Sequence, residues 1–206
     1  MRVFNQLCLF LAKRIFRCAI WDKPTTKERN TISITFDDGP HPEITPWVLD
    51  QLKTVNAKAT FFCVGSRAAA YPEIIARILA EGHAIGSHSQ THAHGWHTKF
   101  NTYKDEVLSA ANLLNTKLFR PPYGKLTWQQ YRWVSKHYTL VMWSLLSKDY
   151  DKGVTPEACV NRVLHSVKGG DVIVFHDSEK AKKNLSVALP IILKELQERD
   201  FKCESI

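Results

Sequence analysis

The chain is 206 residues long, with 44% hydrophobic and 23% charged residues and a formal net charge of +8. That length fits one large domain with a full core, and the composition excludes a disordered, collagenous or low-complexity chain. Residues 1–30 carry seven basic and two acidic side chains, a net +5, so the remaining 176 residues hold only +3; this argues against a basic groove built into the fold, and no nucleic-acid partner is expected.

The N-terminal segment reads as an arm, 1–30, ahead of a domain at 31–206. Residues 3–21 are rich in apolar side chains, but Lys13, Arg14 and Arg17 interrupt them, and the longest uncharged run, 3–12, is ten residues. A membrane span needs about 20. The basic residues follow the apolar run and no small-residue cleavage site is present, so a secretory signal is not expected either. What is left is an amphipathic helix, packed on the domain or making peripheral contact with a membrane. Packing is preferred, because Leu7, Phe10, Leu11, Ile15 and Phe16 form an apolar set that is costly to leave in water. The expected location is cytoplasmic or peripheral to an inner membrane. The cysteines (Cys8, Cys18, Cys63, Cys159 and Cys203) are odd in number and scattered, which fits reduced thiols.

From residue 31 onward, β-rich runs alternate with helical patterns. Strands are predicted at 31–36, 59–64, 83–87, 117–119, 139–143, 171–175 and 201–204, and helices at 44–55, 72–81, 101–115, 126–136, 155–167 and 181–199. This βα alternation fits a parallel sheet, either closed into a barrel or open and doubly wound. The first strand runs into Asp37-Asp38-Gly39-Pro40, whose carboxylates would repel a pyrophosphate, so nucleotide binding is not expected.

Parallel strands share one face at their C-terminal ends, and polar residues collect there: Asp37 and Asp38, His88 and His92, Arg120, Asp149, and His176 with Asp177. Spaced by one helical turn, His88 and His92 can address a common point, and Asp37 or Asp38 would complete a three-ligand metal site open to water. Each feature alone has a plainer reading, a surface histidine pair or a turn with a helix cap; their shared face favours chemistry. His83, His94 and His97 have no equally placed partners and read as surface or hydrogen-bonded residues.

The runs TFDDGPHP (35–42), ATFFCVG (59–65), GHAIGSHSQTH (82–92), RPPYG (120–124) and VIVFHDS (172–178) resemble, in order and spacing, the polysaccharide deacetylases of the NodB-homology type. The resemblance implies an α/β fold, a distorted (β/α)7 TIM-like barrel. It implies Asp38, His88 and His92 as ligands of one divalent metal ion, zinc first, with cobalt or another first-row metal as alternatives. It implies Asp37 as general base, Arg120 as the partner that keeps Asp37 ionised, and the backbone N–H of Tyr123 as an oxyanion donor. His176 becomes the general acid and Asp149 its orienting partner, while Pro122, Tyr123, Tyr150 and Val174 line the substrate. The substrate implied is a glycan bearing N-acetyl groups, with an O-acetyl esterase or a non-catalytic sugar-binding protein as the other readings.

Three positions, in two motifs, depart from the family pattern. The fourth motif, usually D-x-x-D-W, reads Leu146-Ser147-Lys148-Asp149-Tyr150, and Val174 stands where Leu is usual. Leu146 removes whatever hydrogen bond an acid there supplies. Tyr150 still offers an aromatic wall.

Overall fold

The computed structural model describes residues 12–24 and 30–206. The strands are β1 (Thr31–Asp37), β2 (Ala59–Cys63), β3 (Ala84–Ser87), β4 (Leu118–Phe119), β5 (Thr139–Leu140), β6 (Leu145–Leu146), β7 (Val172–His176) and β8 (Lys202–Cys203). The helices are α1 (Ile44–Thr54), α2 (Gly65–Ala70), α3 (Pro72–Ala80), α4 (Phe100–Leu113), α5 (Trp128–His137), α6 (Pro156–Leu164) and α7 (Lys182–Glu198). The sheet runs β5-β4-β3-β2-β1-β7-β6 with every pair parallel, and curls into an open, distorted (β/α)7 barrel. The count of seven strands on this path agrees with the sequence, but its membership differs. The run at 139–143 yields only β5, β6 is additional, and β8 leaves the path to pair with the lower end of β1 at Thr31 and Ile32.

The central strands β1, β2 and β7 are buried almost throughout, as expected of a parallel sheet covered on both faces. Their period of two separates two environments. Ile32, Ile34 and Phe36 of β1 join Ile173 and Phe175 of β7 in the core beneath α1 and α7, with the Phe36 ring stacked at 5.1 Å on Phe61 and 5.9 Å on Phe175. Thr35 and Asp37 face the barrel axis, where the Arg120 guanidinium meets both. A second core cluster gathers Tyr103, Val107, Phe119, Tyr131, Val134 and Leu140 around α4 and α5.

The described part of the arm runs along the open edge of the sheet. Residues 12–15 are helical, Phe16 meets the Tyr131 ring edge-on at 4.8 Å, and Trp21 is buried. Ile20 N donates to Leu140 O (2.8 Å) and Ile20 O accepts from Met142 N (2.7 Å), while Lys23 N donates to Gly170 O (2.8 Å). These bonds carry the chain from the β5 edge to the foot of β7. Ile15, expected on the packed face, is exposed; Leu7, Phe10 and Leu11 lie outside the described residues, as does Cys8. Cys18, Cys63, Cys159 and Cys203 are free thiols. No helix among the described residues is long and apolar enough to cross a membrane.

Candidate active site

The polar residues singled out in the sequence converge on the C-terminal end of the sheet. Asp38, His88 and His92 each offer one ligand atom, and these atoms lie within 4.8 Å of one another. His92 Nε2 is 3.1 Å and His88 Nε2 3.7 Å from Asp38 Oδ1. The physical reason is not the helical turn inferred from their spacing. The stretch after β3 is a loop in which Ser89 and His92 adopt left-handed backbone (φ 63° and 62°), which brings the two imidazoles to 5.0 Å between centroids.

The three residues suit a divalent cation. His88 Nδ1 is taken up by Arg120 O at 2.8 Å, leaving Nε2 for a ligand bond. Burial lowers the His88 pKa to about 4, with Asp37 opposing, so the ring is neutral at neutral pH. Burial would push the Asp38 carboxyl up, but its hydrogen bond with His92 and the fields of His88, His176 and His92 hold it well below the usual carboxylate range. Two imidazoles and a carboxylate with open positions form the donor set of a catalytic rather than a structural site.

On one side stands Asp37, buried, with Oδ1 2.7 Å from Arg120 Nη1. Arg120 has no exposed surface and spends its donors on Thr35 Oγ1 (2.7 Å), Val141 O (3.3 Å) and Met142 O (2.9 Å), with its guanidinium 4.1 Å from the Phe62 ring centroid. On the other side, His176 Nδ1 lies 2.8 Å from Asp149 Oδ1, and Asp149 Oδ2 accepts from His176 N at 2.7 Å. Burial works against the charged imidazole, but Asp149, with help from Asp37 and Asp38, raises its pKa to about 9. Leu146 leaves no gap in this network. It pairs with Val174 in the sheet, and the neighbouring Ser147 hydroxyl donates to Asp149 Oδ1 at 2.9 Å.

Tyr123 has φ 59° in the turn after β4, and nothing among the described residues accepts from its N–H. Its ring is exposed and lies 4.7 Å from His92; the Tyr150 ring lies 4.7 Å from His176. Pro122 and Val174 are buried beneath this surface. His83 lies away from the site, where its Nδ1 accepts from Ala59 N.

Two residues received no role in the sequence reading. Asp177 is fully buried; its Oδ1 accepts from Gly39 N (3.0 Å) and its Oδ2 from the Thr45 hydroxyl, which ties the loop carrying Asp38 to α1. A Cβ at residue 39 would sit 2.0 Å from that carboxylate, so the clamp requires glycine. Asn184, buried on α7, donates to Asp149 O (2.9 Å) and Val154 O (3.0 Å) and fixes the loop that presents Asp149 and Tyr150. The signal for Asp177 was its place beside His176. Asn184 has none in the sequence beyond being polar in an apolar helix.

The Asp37–Arg120 pair, the His176–Asp149 pair and the Asp38–His88–His92 cluster thus stand together at the C-terminal end of a parallel barrel, the face on which such folds carry their chemistry. The family model for polysaccharide deacetylase matches residues 24–143, more than half of the chain, and the chain belongs to that family. A Bacillus cereus peptidoglycan-N-acetylglucosamine deacetylase is 37% identical over 154 residues, covering 71% of this chain and 56% of its own length. An Azorhizobium caulinodans chitooligosaccharide deacetylase is 34% identical over 160 residues, covering 74% of this chain and 76% of its own. The crystal structure of the Bc1960 peptidoglycan N-acetylglucosamine deacetylase, in complex with 4-naphthalen-1-yl-N-oxidanyl-benzamide, is similar with a TM-score of 0.83 and 32% identity over 90% of this chain and 89% of that one.

Proposed function

We propose that this chain is a metal-dependent hydrolase that removes the N-acetyl group from N-acetylglucosamine-type residues of a glycan or glycoconjugate. The observation that carries the reading is the pairing of Asp37 with Arg120 on one side of the Asp38–His88–His92 cluster and of His176 with Asp149 on the other. A divalent ion held by Asp38, His88 and His92, zinc or another first-row metal, would supply an activated water and polarise the acetyl carbonyl. Asp37 Oδ1 is engaged by Arg120, so Oδ2 takes the proton from the attacking water. The Tyr123 N–H donates to the oxygen on which negative charge develops. His176, with Nδ1 held by Asp149, delivers a proton from Nε2 to the amide nitrogen as the C–N bond breaks, releasing acetate and the free amine. Esters with good leaving groups need little such protonation, so the raised pKa of His176 favours the amide over the O-acetyl reading. Tyr150 walls the acetyl group, with Pro122 and Val174 packed below. Residues 31–206 form the catalytic domain, and the described part of the arm, 12–24, packs along the sheet edge from β5 to the foot of β7.

Acetate release from N-acetylglucosamine oligomers, peptidoglycan fragments and acetylxylan tests this reading, with chelated protein and with zinc or cobalt added back. Turnover on the N-acetyl substrates, lost on chelation and restored by metal, is expected. The His92→Ala variant should bind less metal than the parent. Equal metal content in the two removes His92 from the cluster, and release from acetylxylan alone overturns the amide reading.

A further inference from the structure

Beyond His92, the loop between β3 and α4 carries a tryptophan that the deacetylase reading does not use. Trp96 is 58% exposed, a large indole left in water, yet it is firmly held. Its Nε1–H donates to Leu126 O at 3.0 Å, and the Lys125 ammonium lies 4.1 Å from its ring centroid. The turn beneath it, Gly95–His97, is clamped by Gln130, itself 1% exposed, whose Nε2 donates to Gly95 O (2.8 Å) and Thr98 O (3.1 Å). A Cβ at residue 95 would meet Lys125 O at 2.1 Å, so only glycine lets the turn lie this close. A buried amide and a close-packed glycine are thus committed to fixing an exposed aromatic surface.

That surface is continuous with the active site. The His92 ring is 4.7 Å from Tyr123, Tyr123 is 4.9 Å from His94, and His94 is 6.3 Å from Trp96. Rings therefore lead from a proposed metal ligand out to Trp96, and His94 Nδ1 within them is buried without a hydrogen-bond partner among the described residues. Trp128 is the contrast. It is equally exposed at 60%, but it touches only Tyr131 among rings, at 5.3 Å, and none of this strip.

We infer that Trp96, with His94 beside it, is a stacking subsite for a pyranose ring of the same glycan chain, beyond the sugar whose acetamide is cleaved. The inference rests on the deacetylase reading for its substrate class. The C–H face of a pyranose is apolar and slightly positive, and matches the negative face of an aromatic ring. Because the indole is already fixed, little ordering cost offsets the contact. The site is accordingly built for an extended chain, not for a monosaccharide.

Steady-state acetate release on N-acetylglucosamine di-, tetra- and hexasaccharides, with Trp96→Ala, Trp96→Phe and Trp128→Ala compared with the parent, tests the subsite. Trp96→Ala should raise KM for the tetra- and hexasaccharide about tenfold while leaving kcat and the disaccharide KM close to the parent's. Trp96→Phe should recover part of the loss, and Trp128→Ala should behave as the parent. An unchanged hexasaccharide KM, or an equal rise for disaccharide and hexasaccharide, overturns the subsite. Calorimetric titration of the same oligomers into Asp37→Asn protein, with and without Trp96→Ala, separates the two readings. If the parent releases no acetate, the deacetylase reading falls. Binding that tightens with length and loses that gain in Trp96→Ala still upholds the subsite, and its absence overturns it.

Discussion

At the lower end of the barrel the chain turns left-handed at Asn56, Gly82, Asn115 and Asp200, each just past the end of a helix, and at Gly170 ahead of β7. Asn, Asp and Gly adopt that conformation cheaply and commonly close helices. At the upper end Gly124 is left-handed as well, but so are Asp38, Ser89, His92, Tyr123 and Lys148, and of these five all but Asp38 are residue types that carry a cost of about 1 kcal/mol or more each. The same asymmetry holds for charge. Buried Asp171 at the foot of β7 is taken up by the Ser144 hydroxyl and Lys168 N, whereas the upper end buries Asp37, Arg120, Asp149, Asp177 and His88 within a few residues of the strand ends. Strain and desolvated charge are concentrated where the proposed chemistry lies. Elsewhere main-chain bonds tie β8 to the foot of β1 and the arm to β5 and the foot of β7.

If this division is real, changes at the upper end should cost turnover first. The largest expected effect is that of Asp37→Asn, which keeps the shape and the bond to Arg120 but removes the proton acceptor; kcat should fall about 100- to 10,000-fold with metal content and melting temperature near the parent's. A small loss of kcat would break the assignment of Asp37 as base. Arg120→Met should cost both properties. It leaves the Asp37 carboxylate buried without its cation, a change worth about 3–5 kcal/mol of stability, and it releases Asp37 Oδ1 from its guanidinium partner, so kcat should fall as well. Denaturant unfolding and steady-state kinetics check the two arms, and an unchanged kcat in folded protein would free Arg120 from positioning Asp37.

Much of this upper end was legible from sequence because its residues sit at strand ends. Once β1, β3, β4 and β7 are recognised as parallel, Asp37, His88, Arg120 and His176 share an edge whatever the loops do. The loops were less legible. Convergence of His88 and His92 depends on two left-handed residues, Ser89 and His92, neither of which is a type that announces such a turn. Two-residue strands such as β6 carry too few residues for a period to register, and α2 (GSRAAA) offers no apolar stripe. Asp177 and Asn184 act through backbone atoms of Gly39 and Asp149, a kind of contact that leaves no pattern in the sequence.

The arm should show the converse. Trp21 is 7% exposed, packed in the α4–α5 core, and its Nε1 donates to Phe16 O. Trp21→Ala should cost about 3 kcal/mol of stability while kcat at a temperature well below melting stays unchanged. A fall in kcat without a fall in melting temperature would mean that the arm reaches the active site.

The smallest and sharpest effect concerns His176. Its pKa rises from 6.5 to about 9 in the fold despite burial, chiefly through Asp149. The imidazolium is therefore available as an acid up to about pH 9, and the basic limb of kcat/KM should lie well above the ordinary histidine range. Stability follows the same group: because the folded pKa is the higher one, the contribution of the pair is complete below pH 6.5 and is lost as pH climbs through about 9. In Asp149→Asn the raising charge is gone and burial, which lowers the pKa, stays. The basic limb should then drop by at least one pH unit, on the order of the interaction removed, and the decline in melting temperature between pH 6.5 and 9 should flatten. The side-chain oxygen of Asn also cannot serve both His176 N and Nδ1 as the two carboxylate oxygens do, so some kcat is lost even at the new optimum. A limb that stays put while kcat falls would assign Asp149 to orientation alone, and the charge on His176 would then need another source.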